Sequence, residues 1–353
     1  MLNRSLRGAS FALFLATGVF PLSALACATC GCSLSTDAAM GFSTDSGWRL
    51  SLQYDFIDQD QLRAGRHRVS ESDVAAINNA GGDQEVEHDT TNRYITLGLS
   101  YSPNADWNAR LLAPYIDRGH STYGSASNPL SADERSGVNV TGLGDIRVVG
   151  TWQGLLPEKN LGFQLGIKLP TGDYGGPNAD GTGIAGKHPR RFTSGPISRN
   201  DSPDNLVDTS LQPGTGSTDL IVGAFYHQPV SQDLDAFVNA QFQAAVANRL
   251  HQQGEDFRPG NTATVSFGAR FEANPEFVPQ LQVNVYHKGA DQGALADNPD
   301  SAGTVAYLSP GATLNLAHNL QAFGFVQLPV YSNLVGIQLA PRWTASAGLS
   351  YAF

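Results

Sequence analysis

Cysteine is nearly absent from this chain: three residues in 353, all within Cys27-Ala28-Thr29-Cys30-Gly31-Cys32. With none beyond Cys32, no disulfide can staple the body of the fold. Long hydrophobic runs are missing too. After Ala26 no stretch approaches the roughly 18 consecutive apolar residues that a transmembrane helix requires, so any membrane residence must come from strands. Basic residues are in deficit, 22 against 32 acidic ones, and the net charge of −10 argues against nucleic-acid binding.

What is present is glycine, 38 residues, together with aromatic residues recurring in short alternating segments. The first 26 residues have the pattern of a secretory signal peptide: Arg4 and Arg7, then the apolar run Phe11–Ala16, then the small-residue site Ala24-Leu25-Ala26. Cleavage after Ala26 leaves Cys27 first. A lipid anchor there would want a large aliphatic residue where Ala24 stands, so ordinary cleavage is the expectation.

The remainder alternates with period two. Trp48, Leu50, Leu52, Tyr54 and Phe56 share one face of a first strand, while Arg49, Ser51, Gln53 and Asp55 share the other. Further strands are expected at about 92–102, 107–116, 145–153, 161–169, 219–228, 234–247, 262–273, 277–288, 304–316, 320–330 and 337–353. Connections alternate between long polar stretches, the longest at 170–217, and short turns such as Pro103–Asp106. The expected fold is all-β: a transmembrane antiparallel β-barrel of about 12 strands, with long extracellular loops and short periplasmic turns, in the outer membrane of a Gram-negative bacterium. Residues 27–47 would form a periplasmic segment or plug, and 48–353 the barrel. Leu349, Tyr351 and the terminal Phe353 lie on one face of the last strand, where barrel-assembly machinery would read them as an insertion signal.

Alternation also yields a lumen. Arg49, Arg110, Arg147, Lys168, Arg270, Lys288 and Arg342 fall opposite the apolar faces, with fewer acids, among them Asp55 and Asp145, and with neutral Gln241 and Gln282. Such a lining is polar and mildly cationic and would favour anionic solutes. The alternative is that these bases pair with inward acids and loop carboxylates, stiffening the barrel. Lys187-His188-Pro189-Arg190-Arg191 could meet lipopolysaccharide phosphates or remain a solvated loop patch. Asp58–Asp89 carries eight carboxylates, in no recognised ligand spacing.

Cys27, Cys30 and Cys32 stand close enough in sequence to share a soft metal such as Cu(I), or to exchange disulfides with a periplasmic redox or metal partner. No histidine follows the second cysteine, so haem attachment is not indicated, and structural zinc would need a fourth ligand. The competing readings are a lipid anchor at Cys27 or a simple disulfide. An enzyme is not expected: a lipid hydrolase would need outward Ser and His together, and His287 has no such serine evident while His227 points inward. No further cofactor is implied.

Gly142-Leu-Gly-Asp-Ile146, Gly166-Ile-Lys-Leu-Pro-Thr-Gly-Asp173, Gly214-Thr-Gly-Ser217, Leu112-Ala-Pro-Tyr-Ile116, Gln327-Leu-Pro-Val-Tyr331 and Gly348-Leu-Ser-Tyr-Ala-Phe353 resemble the outer-membrane transporter family named for the meta-cleavage pathway of phenol degradation. The resemblance implies a channel or transporter for small hydrophobic or aromatic compounds. An internal echo links Gly142–Trp152 to Gly214–Tyr226, each with an Asp entering a strand, and is expected to reflect repeated wall geometry. The rival reading is a barrel scaffold that docks a redox or metal partner through the cysteines.

Overall fold

The structure is a computed structural model that describes residues 45–199 and 205–353. Cys27, Cys30 and Cys32, and the expected signal peptide, lie outside the described residues.

Antiparallel strands pair in sequence order around a closed wall. They are β1 (Gly47–Gly65), β3 (Glu87–Asn104), β4 (Trp107–Thr122), β6 (Ile146–Trp152), β7 (Leu161–Leu169), β10 (Ser217–Ser231), β11 (Leu234–Asn248), β12 (Thr262–Phe271), β13 (Phe277–Lys288), β14 (Gly303–Ala317) and β15 (Leu320–Ala352). Pairing of β15 with β1, from Arg49↔Ala352 to Gly65↔Leu334, closes the ring. Two short strands join this sheet at its upper margin, β2 (His67–Arg68) beside β1 and β5 (Ser136–Leu143) beside β4, and a separate hairpin is formed by β8 (Tyr174–Pro177) and β9 (Ile184–Lys187).

These eleven wall elements include one that crosses twice. β15 has 33 residues and pairs with β14 over Leu320–Leu334 but with β1 over Leu334–Ala352. The chain reverses at Gly336, whose φ of +69° suits glycine, and the two legs meet again where Ala352 N–H donates to Asn319 C=O at 2.9 Å. A Cβ on Gly336 would also collide with Asp300, so this turn admits little else.

The outer face is apolar in the expected phase. Trp48, Leu50, Leu52 and Tyr54 on β1 and Ile95, Leu97, Leu99 and Tyr101 on β3 are all exposed. Trp48–Phe56, at ~3.3 Å per residue and a tilt near ~40°, rises roughly 20 Å along the barrel axis, comparable to the ~25 Å band of outer-membrane barrels. At the short-turn rim aromatic rings form a girdle: Trp48 against Tyr101 at 4.7 Å, Trp107 against Trp152 at 6.3 Å, Trp152 stacked on Phe163 at 6.2 Å, and Tyr351 on Phe353 at 6.1 Å.

At the opposite rim the long connections carry structure of their own. The stretch after Phe56, where no further strand is expected before about residue 92, instead continues β1 to Gly65 and contains a nine-residue helix, Glu71–Asn79, capped by Ser70 and Asp73 in a reciprocal capping box. Its Val74 and Ala75 pack with Leu62, Val86 and Leu339 into an apolar cluster. A second cluster joins Val138 and Val140 of β5 to Val207 and Leu211, and a third joins Ala185 to Leu250, Phe257 and Leu295. The long connections therefore form a packed roof. Period-two analysis missed this because the apolar residues of a roof follow no single strand rhythm.

Candidate functional site

Three sequence motifs far apart in the chain meet at one point under the roof. Asp145 ends Gly-Leu-Gly-Asp, Lys168 and Gly172 belong to Ile-Lys-Leu-Pro-Thr-Gly, and Thr215 belongs to Gly-Thr-Gly-Ser. Asp145 accepts from the Gly172 N–H at 3.1 Å and from the Thr215 N–H at 3.0 Å, which ties both ends of the longest connection to the wall. Lys168 Nζ lies 3.2 Å from Asp145 and 3.0 Å from Asp219, and also donates to Thr215 and, at 3.0 Å, to Ser217.

The motif glycines are required by close approach: a Cβ on Gly172 would stand 2.9 Å from the Gly214 backbone. The internal echo now has a structural reason. Its two aspartates, Asp145 immediately before β6 and Asp219 on β10, flank β7 from either side and share Lys168 between them.

The inward phase below this knot is a ladder of buried neutral polar side chains. Gln282, Gln327 and Ser309 are fully buried, and Asn284 donates to Ser309 and Gln327, both at 2.9 Å. Gln280 donates to Thr313 at 2.8 Å, Gln282 to Gln280 at 3.3 Å, and Gln241 is half-buried on the same phase of β11. Asp55 is buried and accepts from Gln53 at 2.9 Å and from Ser346 at 2.5 Å.

Most of the expected cationic lining is compensated. Lys288 pairs with Asp291 at 2.9 Å, Arg270 with Glu272 at 3.4 Å, and Arg49 reaches Gln321 at 3.5 Å and Asp45 at 3.9 Å. Arg110 is half-buried and also has an interaction partner. Arg147 differs: it is exposed, shares the phase of buried Asp145 and Val149, and makes no ion pair among the described residues.

Arg342 corrects the sequence reading. The β1/β15 register slips between Asp58↔Trp343 and Gln59↔Pro341, so Arg342 leaves the buried phase held by Thr344, Ser346 and Ser350. Its side chain is 58% exposed and pairs with Asp60 at 2.5 Å. Bulges are invisible to alternation, which is why the assignment failed.

The basic loop cluster is also neutralised in part. Arg190 pairs with Asp173 at 2.9 Å, His188 lies 3.5 Å and Lys187 3.8 Å from the same carboxylate, and Arg191 bonds Asn205. His287 is exposed and meets Thr304, not a serine, at 2.9 Å. Leu349, Tyr351 and Phe353 are exposed on the apolar face, and Phe353 exchanges backbone hydrogen bonds with Trp48 at 2.9 and 3.1 Å.

Alternation alone did not single out four buried phenylalanines on the inward phase. Phe225, Phe237 and Phe325 each sit in register with a glycine of the next strand, Gly162, Gly268 and Gly311, and Phe323 lies over Gly348. Each ring occupies the space that a glycine leaves open, with a would-be Cβ only 2.2–2.7 Å from ring carbons. The signal was present as Gly opposite Phe, but it required the pairing register to be read.

Comparison with known proteins gives the fold. No family model matches the chain, and no curated protein matches it. Among solved structures, an outer-membrane channel from Pseudomonas putida F1 superposes with a TM-score of 0.60 at 12% identity, covering 91% of this chain and all of the other. The translocator domain of an autotransporter from Neisseria meningitidis has a TM-score of 0.45 at 9% identity (90% and 92% covered), and a toluene transporter from Ralstonia pickettii 0.41 at 10% (88% and 91%). The class defined is a closed antiparallel β-barrel of the outer-membrane type.

Proposed function

We propose that this protein is a passive outer-membrane channel for small solutes, with its long-connection rim outward and its aromatic girdle at the periplasmic interface. The observation that carries the reading is a closed wall with an apolar exposed face and a polar buried face, the arrangement required when lipid lies on one side and a solute path on the other. The likeness to the Pseudomonas putida channel supports the same reading.

The solute class favoured is small aromatic or hydrophobic compounds that also carry a hydrogen-bonding group. Phe225, Phe237, Phe323 and Phe325 put apolar rings on the inward phase beside the Gln and Asn ladder, a close-packed lining, each ring 2–6% exposed, that a solute of this mixed character would part as it passes. Pairing of Lys168, Arg270 and Lys288 removes most of the charge that would draw anions, leaving Arg147 as the residue on which anion preference would depend.

The test is conductance and liposome uptake by the purified, refolded protein with phenols, aromatic acids and inorganic anions. Uptake of phenols ahead of inorganic anions is expected. Absence of both conductance and uptake for every solute would sink the channel reading.

A further inference from the structure

The hairpin that tops β1 gathers charge of one sign. Within Arg63-Ala64-Gly65-Arg66-His67-Arg68 the chain turns at Gly65, whose φ is +60°, and β2 folds back so that Arg63 and Arg68 stand directly opposite each other in register. Facing cations on paired strands repel, so folding alone does not favour this arrangement. Arg66 sits at the turn between them, and Arg66, His67 and Arg68 are all exposed.

The three arginines meet neutral acceptors and make no ion pair among the described residues. Arg63 donates to the Arg66 carbonyl at 3.1 Å, Arg68 to the Gln61 side chain at 3.2 Å, and Arg66 to the Tyr331 hydroxyl at 3.1 Å. Elsewhere outward bases have found carboxylates: Arg342 holds Asp60 of the same strand as Arg63, at 2.5 Å, and Arg93 lies 3.7 Å from Asp117. With 32 acidic residues against 22 basic ones, three adjacent unneutralised arginines run against the charge balance of the chain.

Their position selects the partner. Leu62 is buried in the apolar cluster under the roof, so alternation turns Gln61, Arg63 and Arg68 to the outside of the barrel. Tyr331, exposed beside buried Ser332, also faces outward, and the Arg66 guanidinium is centred 5.1 Å over its ring. From Leu320 to Tyr331, at ~3.3 Å per residue and a tilt near ~40°, β15 rises roughly 28 Å, which brings Tyr331 to the upper edge of a ~25 Å apolar band. There lipid tails give way to headgroups. Guanidinium groups fork onto phosphate oxygens, and a bound phosphate cancels the repulsion between Arg63 and Arg68.

We propose that Arg63, Arg66 and Arg68 bind the phosphate groups of lipid A, the glycolipid of the outer leaflet, and so anchor this side of the barrel to its surrounding lipid. The role considered for Lys187–Arg191 belongs here instead, because Asp173 already serves that loop cluster. The proposal rests on the outward orientation of the long-connection rim in the channel reading. The two fail separately, since lipid binding is read without a solute and conductance is read in phospholipid without lipid A.

The test uses the complete barrel in detergent, titrated with lipid A and followed by native mass spectrometry. Saturable binding is expected, weaker for lipid A stripped of its phosphates and not displaced by inorganic phosphate. Arg63→Gln, Arg66→Gln and Arg68→Gln combined should weaken it about tenfold or more, the loss of several charge-assisted hydrogen bonds. Lys187→Gln, Arg199→Gln and Arg249→Gln combined, the same change of charge at exposed positions elsewhere, should not. Folding is checked by the gel-mobility shift of an unheated barrel, and Arg66→Gln alone, at the exposed turn, keeps the test decisive if the triple variant misfolds. No saturable binding, equal binding of the dephosphorylated lipid, displacement by inorganic phosphate, or equal loss in the control triple would overturn the proposal.

Discussion

Lys168 and Asp219 are register partners on adjacent strands, and their side chains form a 3.0 Å ion pair with only 4% of each exposed. Asp145 completes the group from the other side, so one buried cation serves two buried carboxylates. Removing the lysine would leave both uncompensated. Lys168→Met is expected to destabilise the barrel by about 3–5 kcal/mol, the usual cost of breaking a buried ion pair. Unfolding in denaturant should show it, and adding Asp145→Asn and Asp219→Asn should recover much of the loss. A wild-type midpoint in the single variant would mean that the knot holds nothing.

Arg147 lies in register with Lys168 yet has no ion-pair partner among the described residues. Arg147→Glu should therefore shift ion selectivity toward cations in planar bilayers while leaving stability nearly unchanged. Unaltered reversal potentials would remove this residue from the solute path.

Burial and the neighbouring carboxylates push Asp297 up to about 8 from its ordinary 3.8. Because the folded roof favours the neutral form, ionisation in the unfolded chain penalises folding progressively as pH rises from about 4, and the penalty levels off above about 8. The roof should thus be more protease-resistant at pH 5 than at pH 8, and Asp297→Asn should flatten the difference. Limited proteolysis across that range measures it.

Gly162 and Phe225 show how tightly the inward face is set, since a Cβ on Gly162 would fall 2.3 Å from the ring. Gly162→Ala should cost roughly 1–3 kcal/mol by overpacking, and pairing it with Phe225→Leu should relieve part of that cost. Additive losses in the double variant, measured by thermal unfolding, would show that the two residues do not share the space.

Much of the wall was legible because a strand with one face outside a closed barrel and the other inside it must alternate. Trp48 to Tyr54, Ile95 to Tyr101 and Leu349 to Phe353 are exposed as their spacing required. Asp55, Lys168 and Gln282 are buried for the same reason. Arg342 was misplaced because a bulge inserts a residue without leaving a compositional mark, and β5 was missed because Ser136–Leu143 is too small-residue-rich to stand out as a strand.

The sequence by itself determined the periodicity, the exclusion of helical spans and the alternation of long and short connections, since each depends only on near neighbours along the chain. The tertiary structure alone decided which charges are paired, how the Gly-Leu-Gly-Asp, Leu-Pro-Thr-Gly and Gly-Thr-Gly motifs join around Lys168, and which carboxylates crowd beneath the roof. Those outcomes depend on register and on contacts between residues as distant in the chain as Glu87 and Leu339. Partners so far apart are brought together by barrel closure, which no local pattern encodes.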